Sequence, residues 1–524
     1  MSTVETPRAG RREWVGLGVI ALPCLLYSMD LTVLNVAIPE LSADLQPSSS
    51  QLLWIIDIYG FMVAGFLITM GTLGDRIGRR KLLLIGAVAF GAGSLLAAFS
   101  TSAEMLIVAR ALLGVAGATL APSTLSLIFN MFHDPPQRTF AIGVWIASYS
   151  AGAVIGPVVG GVMLEFFWWG SVFLLALPVM ALLLVLGPIL LPEFKNPDAG
   201  RLDLTSAAMS LAAVILVIYG LKQIAQDGLQ SLAVLSIVVG LIVGWLFVRR
   251  QQKLVDPMID LRLFRIRAFS GSLAAYALSI AVVFGAFVFI LQHLQLVLGL
   301  SPLRAGLWMV PSGLAFIVGG IATPIFVRYL RPGFVMAAGL ALSAIGFVLL
   351  TRVDQSSGVA LIVVAFIIFS IGLTPVITLA TDLIVGSAPK ERAGAASGIS
   401  ETGAEFGGAL GIAILGSIGI AVYRNRLEDS VPSEVPPEQA DAARDTLGGA
   451  AEAAEDLPAP LGAELLDTAQ EAFTQGLQVT AVTGAVVLAG LSVLTAVLLR
   501  GVPSPAGADG EAAGAVAVPE ESSA

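Results

Sequence analysis

Charged residues are scarce in this chain of 524 residues: Asp, Glu, Lys and Arg make up 12% of it, and 56% is hydrophobic. Soluble domains contain roughly a quarter charged residues, so a set of soluble domains is excluded. Histidine is reduced to 2 residues and cysteine to Cys24, which excludes an intrachain disulfide. The sequence also lacks a Walker loop, a Gly-rich dinucleotide turn, a zinc-ligand spacing and a Ser-His-Asp arrangement. ATP-driven transport and covalent catalysis are therefore unsupported.

The abundant feature is a series of apolar blocks of about twenty residues, which is the length needed to cross a hydrocarbon core of about 30 Å. In lipid each backbone group must find its partner within the segment, so these blocks are predicted to be helices. The sequence thus predicts an all-α polytopic membrane protein with 14 transmembrane spans. The spans lie at about 14–38, 51–73, 82–100, 105–130, 140–164, 171–191, 204–223, 231–248, 269–296, 305–327, 333–351, 359–386, 395–423 and 476–499.

The distribution of Lys and Arg predicts the orientation of these spans. The net charge of −9 is uninformative, because much of it comes from the acidic segment 427–471 and the acidic tail. An even number of spans puts both termini on one side. The segments on that side carry 21 of the 28 Lys and Arg residues, those on the other side carry 6, and Arg110 lies within a span. The positive-inside rule then predicts that both termini are cytoplasmic.

A weak internal repeat predicts two halves of six spans. The sequence DPPQR at 134–138 leads into span 5, and APKER at 388–392 leads into span 13. Parallel repeats of this kind recur in transporters, where the substrate site lies between the halves near the middle of the membrane. The predicted parts are a cytoplasmic segment 1–13, a six-helix bundle 14–192, two inserted spans within 193–268, a second bundle 269–500 with an external loop 425–475 containing a short helical hairpin, and a disordered tail 501–524.

Several ionisable residues fall within the spans, among them Asp30, Asp57, Arg110, Glu401 and Glu405. A charge in a span costs about 2.5–3.5 kcal/mol on insertion scales, so each needs a function or a partner. Glu401 and Glu405 are four residues apart and therefore share one helical face. Either acid is alternatively explained by a backbone donor or by a position at the external mouth. Asp30 is equally compatible with a structural contact to a neighbouring helix and with proton handling.

Buried carboxylates of this kind suit an exchange of protons for cations. A carboxylate withdrawn from water tends to hold a proton, and a bound organic cation favours the charged form instead. Proton and cation then compete for one group. Four aromatic residues in the spans, Trp54, Tyr59, Tyr149 and Phe406, are candidates to stack on a planar or quaternary cation. Each of them alone is also explained by packing or by contact with lipid.

Two further titratable residues are expected to have no role in exchange. His293 lies at the outer end of span 9, where a lone histidine is expected to be a satisfied interfacial residue. Asp382 lies near the inner end of span 12 and is expected to be solvated.

Four local patterns carry a resemblance to a known family. They are DLTVLNVAIP at 30–39, GTLGDRIGRR at 71–80, RALLG at 110–114 and GAVIGPVVGG at 152–161. Together they resemble the major facilitator superfamily, and within it the fourteen-helix drug:proton antiporters, especially the exporters of quaternary ammonium compounds and dyes. The resemblance covers about residues 14–500. It implies two six-helix bundles plus two inserted helices, and secondary active export of small lipophilic or cationic molecules in exchange for protons. It also implies that the protein resides in the cell membrane and has no bound cofactor. We further expect a monomer in the lipid bilayer, with no nucleic-acid partner and no enzymatic activity.

The loop between spans 2 and 3 contains Gly71, Asp75, Arg76, Gly78 and Arg79. Its glycines permit a tight turn and close packing. The resemblance implies that Asp75 and Arg76 belong to a latch that holds the outward-facing state closed on the inside. The alternative is that the arginines only anchor the topology.

The pattern in span 5 corresponds to the antiporter signature of the family. Gly152, Gly156, Gly160 and Gly161 recur at short spacing, and Pro157 is expected to kink the helix. The glycine face is expected to press against a helix of the other half, with a hinge or gate role in addition to packing.

Two positions bear on the substrate. Leu113 stands where the family usually has a glutamine, which weakens any polar network around Arg110. Asp57, between Trp54 and Tyr59, matches mainly the dication exporters. Two alternatives to broad efflux remain open: dedicated export of one endogenous compound (an antibiotic, a siderophore or a lipid), and a receptor or channel-like protein without coupled exchange.

Overall fold

The computed structural model describes residues 8–196, 202–354, 358–428 and 430–502, and no strand occurs among them. In this part of the chain, 14 helical segments are long and apolar enough to cross a membrane. The all-α class and the number of spans predicted from the sequence are thus confirmed. The predicted disordered tail 501–524 lies outside the described residues from position 503 onward, as do residues 1–7 of the predicted N-terminal segment.

The first nine helices are α1 (Arg11–Leu45), α2 (Ser49–Ile77), α3 (Arg79–Ala98), α4 (Ala103–Met131), α5 (Pro135–Phe166), α6 (Ser171–Leu174), α7 (Ala176–Leu190), α8 (Leu204–Asp227) and α9 (Ser231–Gln251). The next nine are α10 (Arg267–Gln292), α11 (Pro302–Tyr329), α12 (Pro332–Leu350), α13 (Val359–Gly386), α14 (Ala393–Gly411), α15 (Ser417–Glu428), α16 (Pro437–Asp445), α17 (Leu447–Glu455) and α18 (Ala459–Leu498).

Capping residues mark where several spans begin. The side chains of Ser48, Ser102 and Asp134 each accept a hydrogen bond from the backbone N–H three residues further on. Such a cap pairs one of the N–H groups that the first helical turn leaves free. Between α2 and α3 the chain turns at Gly78, whose φ of 113° is sterically open only to glycine. The tight turn expected in this loop is therefore present.

The helices pack in two groups that meet along a few helices. In the first group α1 packs on α5, and α4 packs on α2 and α3; in the second, α10 packs on α14, and α13 packs on α11 and α12. The groups meet where α2 contacts α14 and where α5 contacts α11. Helices α8 and α9 pack on each other, and α8 also packs on α2.

We name the two ends of the helical bundle by their features. The basic face is the end at which α2 finishes at Ile77 and α14 begins at Ala393, and its loops carry most of the Lys and Arg residues. The hairpin face is the opposite end, where α16 and α17 pack on each other. There the Tyr423 hydroxyl donates a 2.6 Å hydrogen bond to the carbonyl oxygen of Ala443, which ties the end of α15 to α16.

Two spans differ in detail from the sequence prediction. The last one was expected at 476–499, but α18 begins at Ala459, because its first turns bury Leu465 and Ala469 instead of facing water. The span expected at 395–423 is interrupted by a π-helical turn at Ile412–Gly416 between α14 and α15. Turns of this type occur often at functional sites.

Candidate functional site

Glu401 and Glu405 lie on α14, near the middle of the membrane span. At about 1.5 Å per residue they stand about 12 Å and 18 Å from the start of the helix at Ala393. Both side chains are only partly exposed. Among the described residues, neither carboxylate has an ion-pair or hydrogen-bond partner, and Oε1 of Glu401 is buried without one. Two unpartnered acids therefore share one face at this depth.

Tyrosines from both helical groups surround this face. Tyr27 of α1, Tyr149 of α5 and Tyr276 of α10 are close enough to Glu401 to interact with it electrostatically. The rings of Tyr27 and Tyr149 pack edge to face, with centroids 5.3 Å apart. The Tyr149 hydroxyl is buried and has no hydrogen-bond partner in the described region. Three tyrosines therefore lie near Glu401, two from the first helical group and one from the second.

The four candidate aromatic residues lie in different surroundings. Tyr59 is fully buried, and the guanidinium of Arg110 lies 4.8 Å from its ring centroid, so this ring face is already occupied. Phe406 lines a groove between α14 and α10 and also packs against the cluster that contains Phe61 of α2. Trp54 is 41% exposed, and Tyr149 interacts electrostatically with Glu401.

Asp30 and Arg110 are brought together at the centre of the first helical group. Nη1 of Arg110 donates to Oδ2 of Asp30 at 2.6 Å, and its Nε donates to the carbonyl oxygen of Ile55 at 3.1 Å. Both side chains are at most 9% exposed. This ion pair ties α1, α2 and α4 together without the glutamine that Leu113 replaces.

The partner of Asp57 is a residue that the sequence analysis did not single out. Lys222 of α8 donates a 2.5 Å hydrogen bond to the Asp57 carboxylate of α2. Its ammonium also lies 4.8 Å from the ring centroid of Phe61, and it interacts electrostatically with Glu405. In the sequence, Lys222 falls at the edge of span 7, where we counted it among the charges of the external loops. Lys222 lies one turn inside the end of an apolar helix, and this position was the signal in the sequence that could have identified it as a functional residue.

At the basic face, Asp75 joins α2 to α14. Its carboxylate accepts hydrogen bonds from the backbone N–H groups of Gly394 and Ala395, each at 2.9 Å, and from Arg79 at 2.8 Å and 3.0 Å. Arg79 also donates to the carbonyl oxygen of Lys390 at 2.5 Å. Both Asp75 and Arg79 are buried. A latch of this shape was implied by the resemblance, but Arg79 rather than Arg76 pairs with Asp75.

Arg76 instead reaches a third segment. It forms an ion pair with Asp256 at 3.0 Å, and Arg392 pairs with the same carboxylate at 3.2 Å. Asp256 lies in the segment between α9 and α10, so this segment connects the end of α2 to the start of α14. Sequence reasoning missed Asp256, because nothing in the local pattern distinguishes it from other loop acids.

A second connection at the basic face involves Asp382, which was expected to be solvated. Its side chain is only 12% exposed and accepts hydrogen bonds from Arg138 at 2.7 Å and from the Thr139 hydroxyl at 3.1 Å. The expectation was wrong because α5 packs its first turn against α13. His293 was likewise misjudged: it is fully buried, and neither ring nitrogen has a partner among the described residues.

The glycine pattern of α5 packs against α1, and not against the other group as expected. A Cβ at Gly152 would overlap the carbonyl oxygen of Leu25, and one at Gly160 would lie 2.6 Å from Val33. Gly156 meets the same helix, whereas a Cβ at Gly161 would have no neighbour within 4 Å. The reason is the regular four-residue spacing of Gly152, Gly156 and Gly160, which places these three on the α1 side.

Helix α5 meets the second group elsewhere along its length. A Cβ at Gly143 would lie 2.8 Å from the carbonyl oxygen of Gly320 on α11. Similarly, on α14 a Cβ at Gly398 would lie 2.7 Å from the carbonyl oxygen of Leu67 on α2. These close approaches fall in the half of the membrane next to the basic face. On α14, Gly398 lies between the two unpartnered carboxylates and that face.

Known proteins of similar sequence identify the family of the chain. The model of the Major Facilitator Superfamily matches residues 20–412. The chain belongs to the major facilitator superfamily. The resemblance drawn from the four sequence patterns is thereby confirmed, and the chain is a multi-pass membrane transporter and not an enzyme.

Among superfamily members, the chain is 44% identical over 498 residues to the multidrug efflux pump LfrA of Mycolicibacterium smegmatis, covering 95% of this chain and 98% of that protein. It is 38% identical over 469 residues to the methyl viologen resistance protein SmvA of Salmonella typhimurium, covering 88% and 93%. A solved structure of the human organic anion transporter MFSD10 matches with a TM-score of 0.59 at 16% identity, covering 91% of this chain and 99% of that one. The last comparison supports the fold alone.

Proposed function

We propose that the protein is a proton-coupled antiporter that exports lipophilic, often cationic, small molecules from the cytoplasm. The observation that carries the proposal is the pair Glu401 and Glu405, two carboxylates without a partner in the described region, on one face of α14 in mid-membrane. Tyr27, Tyr149 and Tyr276 line the space around Glu401. No bound cofactor is needed, and one chain contains the whole site, so a monomer suffices.

The chemistry of exchange follows from the cost of an isolated charge. An ionised carboxylate without a partner is expensive within a membrane. Either a proton or an organic cation removes that cost, and both cannot do so at one carboxylate simultaneously. Aromatic faces beside the acids add cation–π attraction for a quaternary or planar cation. Competition for Glu401 and Glu405, combined with alternating access, gives antiport.

We propose that the basic face is cytoplasmic, as the positive-inside rule predicts, and that both termini lie there. The contacts of Asp75 with Gly394 and of Gly398 with Leu67 join the two helical groups on that side of the acids. A transporter closed on its cytoplasmic side is outward-facing. In this state Glu401 and Glu405 exchange ligands with the exterior.

The names of the relatives support a drug as the cargo. LfrA is a multidrug efflux pump, and SmvA confers resistance to methyl viologen, which carries two positive charges. Asp57 and Glu405, which share electrostatic contact with Lys222, provide two carboxylates for such a dication. We therefore propose that dications are among the substrates.

A second candidate is dedicated export of one endogenous compound. It is favoured by a relative from Streptomyces glaucescens, the tetracenomycin C resistance and export protein, which is 29% identical over 93% of both chains. The two candidates share the mechanism and differ only in how many compounds are transported.

The test uses everted membrane vesicles with an imposed proton gradient and ethidium as a fluorescent cation. We expect ethidium to accumulate in the vesicles and to leave when the gradient is collapsed, and we expect no accumulation with Glu401→Gln/Glu405→Gln. Accumulation that is indifferent to the gradient would refute proton coupling. If ethidium and a panel of other cations are not transported while the variant and wild type behave alike, dedicated export is the better description.

A further inference from the structure

A groove of about 300 Å³ runs between α10 and α14, on the outside of the bundle. Leu273 and Leu278 of α10 line it, together with Phe406 and Leu410 of α14 and Phe264 just before α10. At about 100° per residue, Phe406 and Leu410 lie about 140° and 180° around α14 from Glu401. Measured from Glu405, the same two residues lie about 100° and 140° around the helix. The groove therefore opens on a different side of α14 from the two carboxylates.

The dimensions of the groove match one half of a bilayer. Its lining on α10 extends from Ser270 to Ala281, which spans about 16 Å at about 1.5 Å per residue. One leaflet of a hydrocarbon core of about 30 Å measures about 15 Å. Leu278, at 42% exposure, and Phe264, at 43%, leave the groove open at its side. An extended hydrocarbon chain lying along α10 would fill it from the basic face to mid-membrane.

The end of the groove at the basic face is positively charged. Arg265 follows Phe264 directly, and Arg267 follows after Ile266. Both arginines are exposed, and neither has an ion-pair partner in the described part of the chain. The Ser270 hydroxyl donates a 2.6 Å hydrogen bond to the Phe264 carbonyl oxygen, which holds this turn at the mouth of the groove.

A neighbouring arginine, Arg262, does not add to this charge. It pairs with Asp260 at 3.1 Å. Burial by itself would raise the pKa of Asp260, but hydrogen bonds from the backbone and guanidinium of Arg262 outweigh it and hold the pKa below its usual value. Asp260 therefore stays ionised and balances Arg262, and the uncompensated charge belongs to Arg265 and Arg267.

We propose that this groove binds one anionic phospholipid, with an acyl chain along α10 and the phosphate group on Arg265 and Arg267. Guanidinium groups match phosphate geometry well, and basic pockets between helices on the cytoplasmic side are suited to anionic headgroups. The two charges repel a cationic drug at the same mouth. A free phosphate would leave the apolar groove empty, so the ligand is a lipid and not a soluble anion.

The binding test uses the full-length protein purified in detergent, with thermal unfolding followed by intrinsic tryptophan fluorescence. Phosphatidylglycerol is expected to raise the unfolding temperature saturably, whereas phosphatidylcholine and glycerol 3-phosphate are not. Arg265→Gln/Arg267→Gln is expected to raise the half-maximal phosphatidylglycerol concentration about thirtyfold, from the loss of two charges near an anionic headgroup. The control Arg249→Gln/Arg328→Gln removes two exposed arginines elsewhere and is expected to respond as wild type.

A second variant tests the groove separately from the charges. Ala274→Trp places an indole in the apolar lining, and we expect it to abolish the phosphatidylglycerol response while its lipid-free unfolding temperature and size-exclusion profile stay those of a folded protein. An equal response to phosphatidylglycerol and phosphatidylcholine would overturn the proposal, as would reproduction of the effect by glycerol 3-phosphate. A wild-type response in the Arg265→Gln/Arg267→Gln variant would overturn it too. None of these readouts depends on the transport function.

Discussion

The carboxylate of Asp75 on α2 accepts a 2.9 Å hydrogen bond from the backbone N–H of Gly394 on α14. A side chain at position 394 would have its Cβ 2.5 Å from both the Asp75 carboxylate and the carbonyl oxygen of Gly71, so only glycine fits this contact. The first turn of α14 is a source of free N–H groups, and Asp75 pairs with two of them. The ends of two helices from different groups are thereby joined.

Replacing Asp75 is expected to open this junction. Asp75→Ala removes hydrogen bonds to a charged group, each worth about 1.5–3 kcal/mol, so the population open at the basic face should rise at least about tenfold. Spin labels are placed at Lys81 and Glu391, both exposed, in a Cys24→Ser background. They report the open population as a longer-distance component of the distance distribution.

The matched control for this measurement is Asp260→Ala. Asp260 also lies at the basic face, but it pairs with Arg262 of its own segment. The Asp260→Ala variant is expected to leave the distance distribution between the two spin labels unchanged. If Asp75→Ala and Asp260→Ala give the same distribution, Asp75 does not hold the junction closed.

The packing of α5 on α1 predicts unequal effects for two glycines of one sequence pattern. Gly152→Ala would drive a methyl group into the Leu25 carbonyl oxygen, whereas Gly161→Ala enters open space. Overpacking costs about 1–3 kcal/mol, so Gly152→Ala should lower the thermal unfolding temperature, and Gly161→Ala should not. Equal unfolding temperatures for the two variants would contradict the packing described here.

The Asp30–Arg110 pair predicts a rescue by a second substitution. Arg110→Gln leaves the buried Asp30 carboxylate unpaired, and breaking such a pair costs about 3–5 kcal/mol. Asp30→Asn/Arg110→Gln removes both charges and should recover part of the lost unfolding temperature. A double variant no more stable than Arg110→Gln would show that the pair does not account for the stability of this region.

Lys222 pairs with Asp57 and interacts electrostatically with Glu405. Under the proposed function, it therefore competes with a substrate cation for these carboxylates. Lys222→Gln is therefore expected to strengthen binding of the dication propidium about fivefold, which corresponds to about 1 kcal/mol for a partly exposed pair. Asp57→Asn should weaken propidium binding. Fluorescence titration measures both, with the exposed Lys195→Gln as the control. Weaker propidium binding by Lys222→Gln would mean that the lysine does not compete with substrate.

The sequence predicted the features that depend on local composition. The spans followed from apolar length, and the turn at Gly78 followed from the conformational freedom of glycine. The shared face of Glu401 and Glu405 required only helical spacing. None of these features depends on how distant helices are placed.

Partners across the fold were not predictable from one sequence. Lys222 and Asp57 form a pair although they are 165 positions apart in the sequence, and Arg138 and Asp382 do so at a separation of 244 positions. Two other features also depend on how the helices pack. They are the identity of the helix that contacts the Gly152 face and the covering of the Tyr59 ring by Arg110. Helical periodicity and composition define one face of a helix, but they do not identify the neighbouring helix that packs against that face.

The most direct test of the central claim is proton movement driven by substrate in proteoliposomes. With a pH-sensitive dye inside and no initial pH difference, an ethidium gradient should drive protons in the opposite direction through the wild type and through the exposed control Glu464→Gln. Glu401→Gln/Glu405→Gln should move no protons. Ethidium transport by the wild type without proton counterflow, or full counterflow in the double variant, would contradict exchange at these carboxylates.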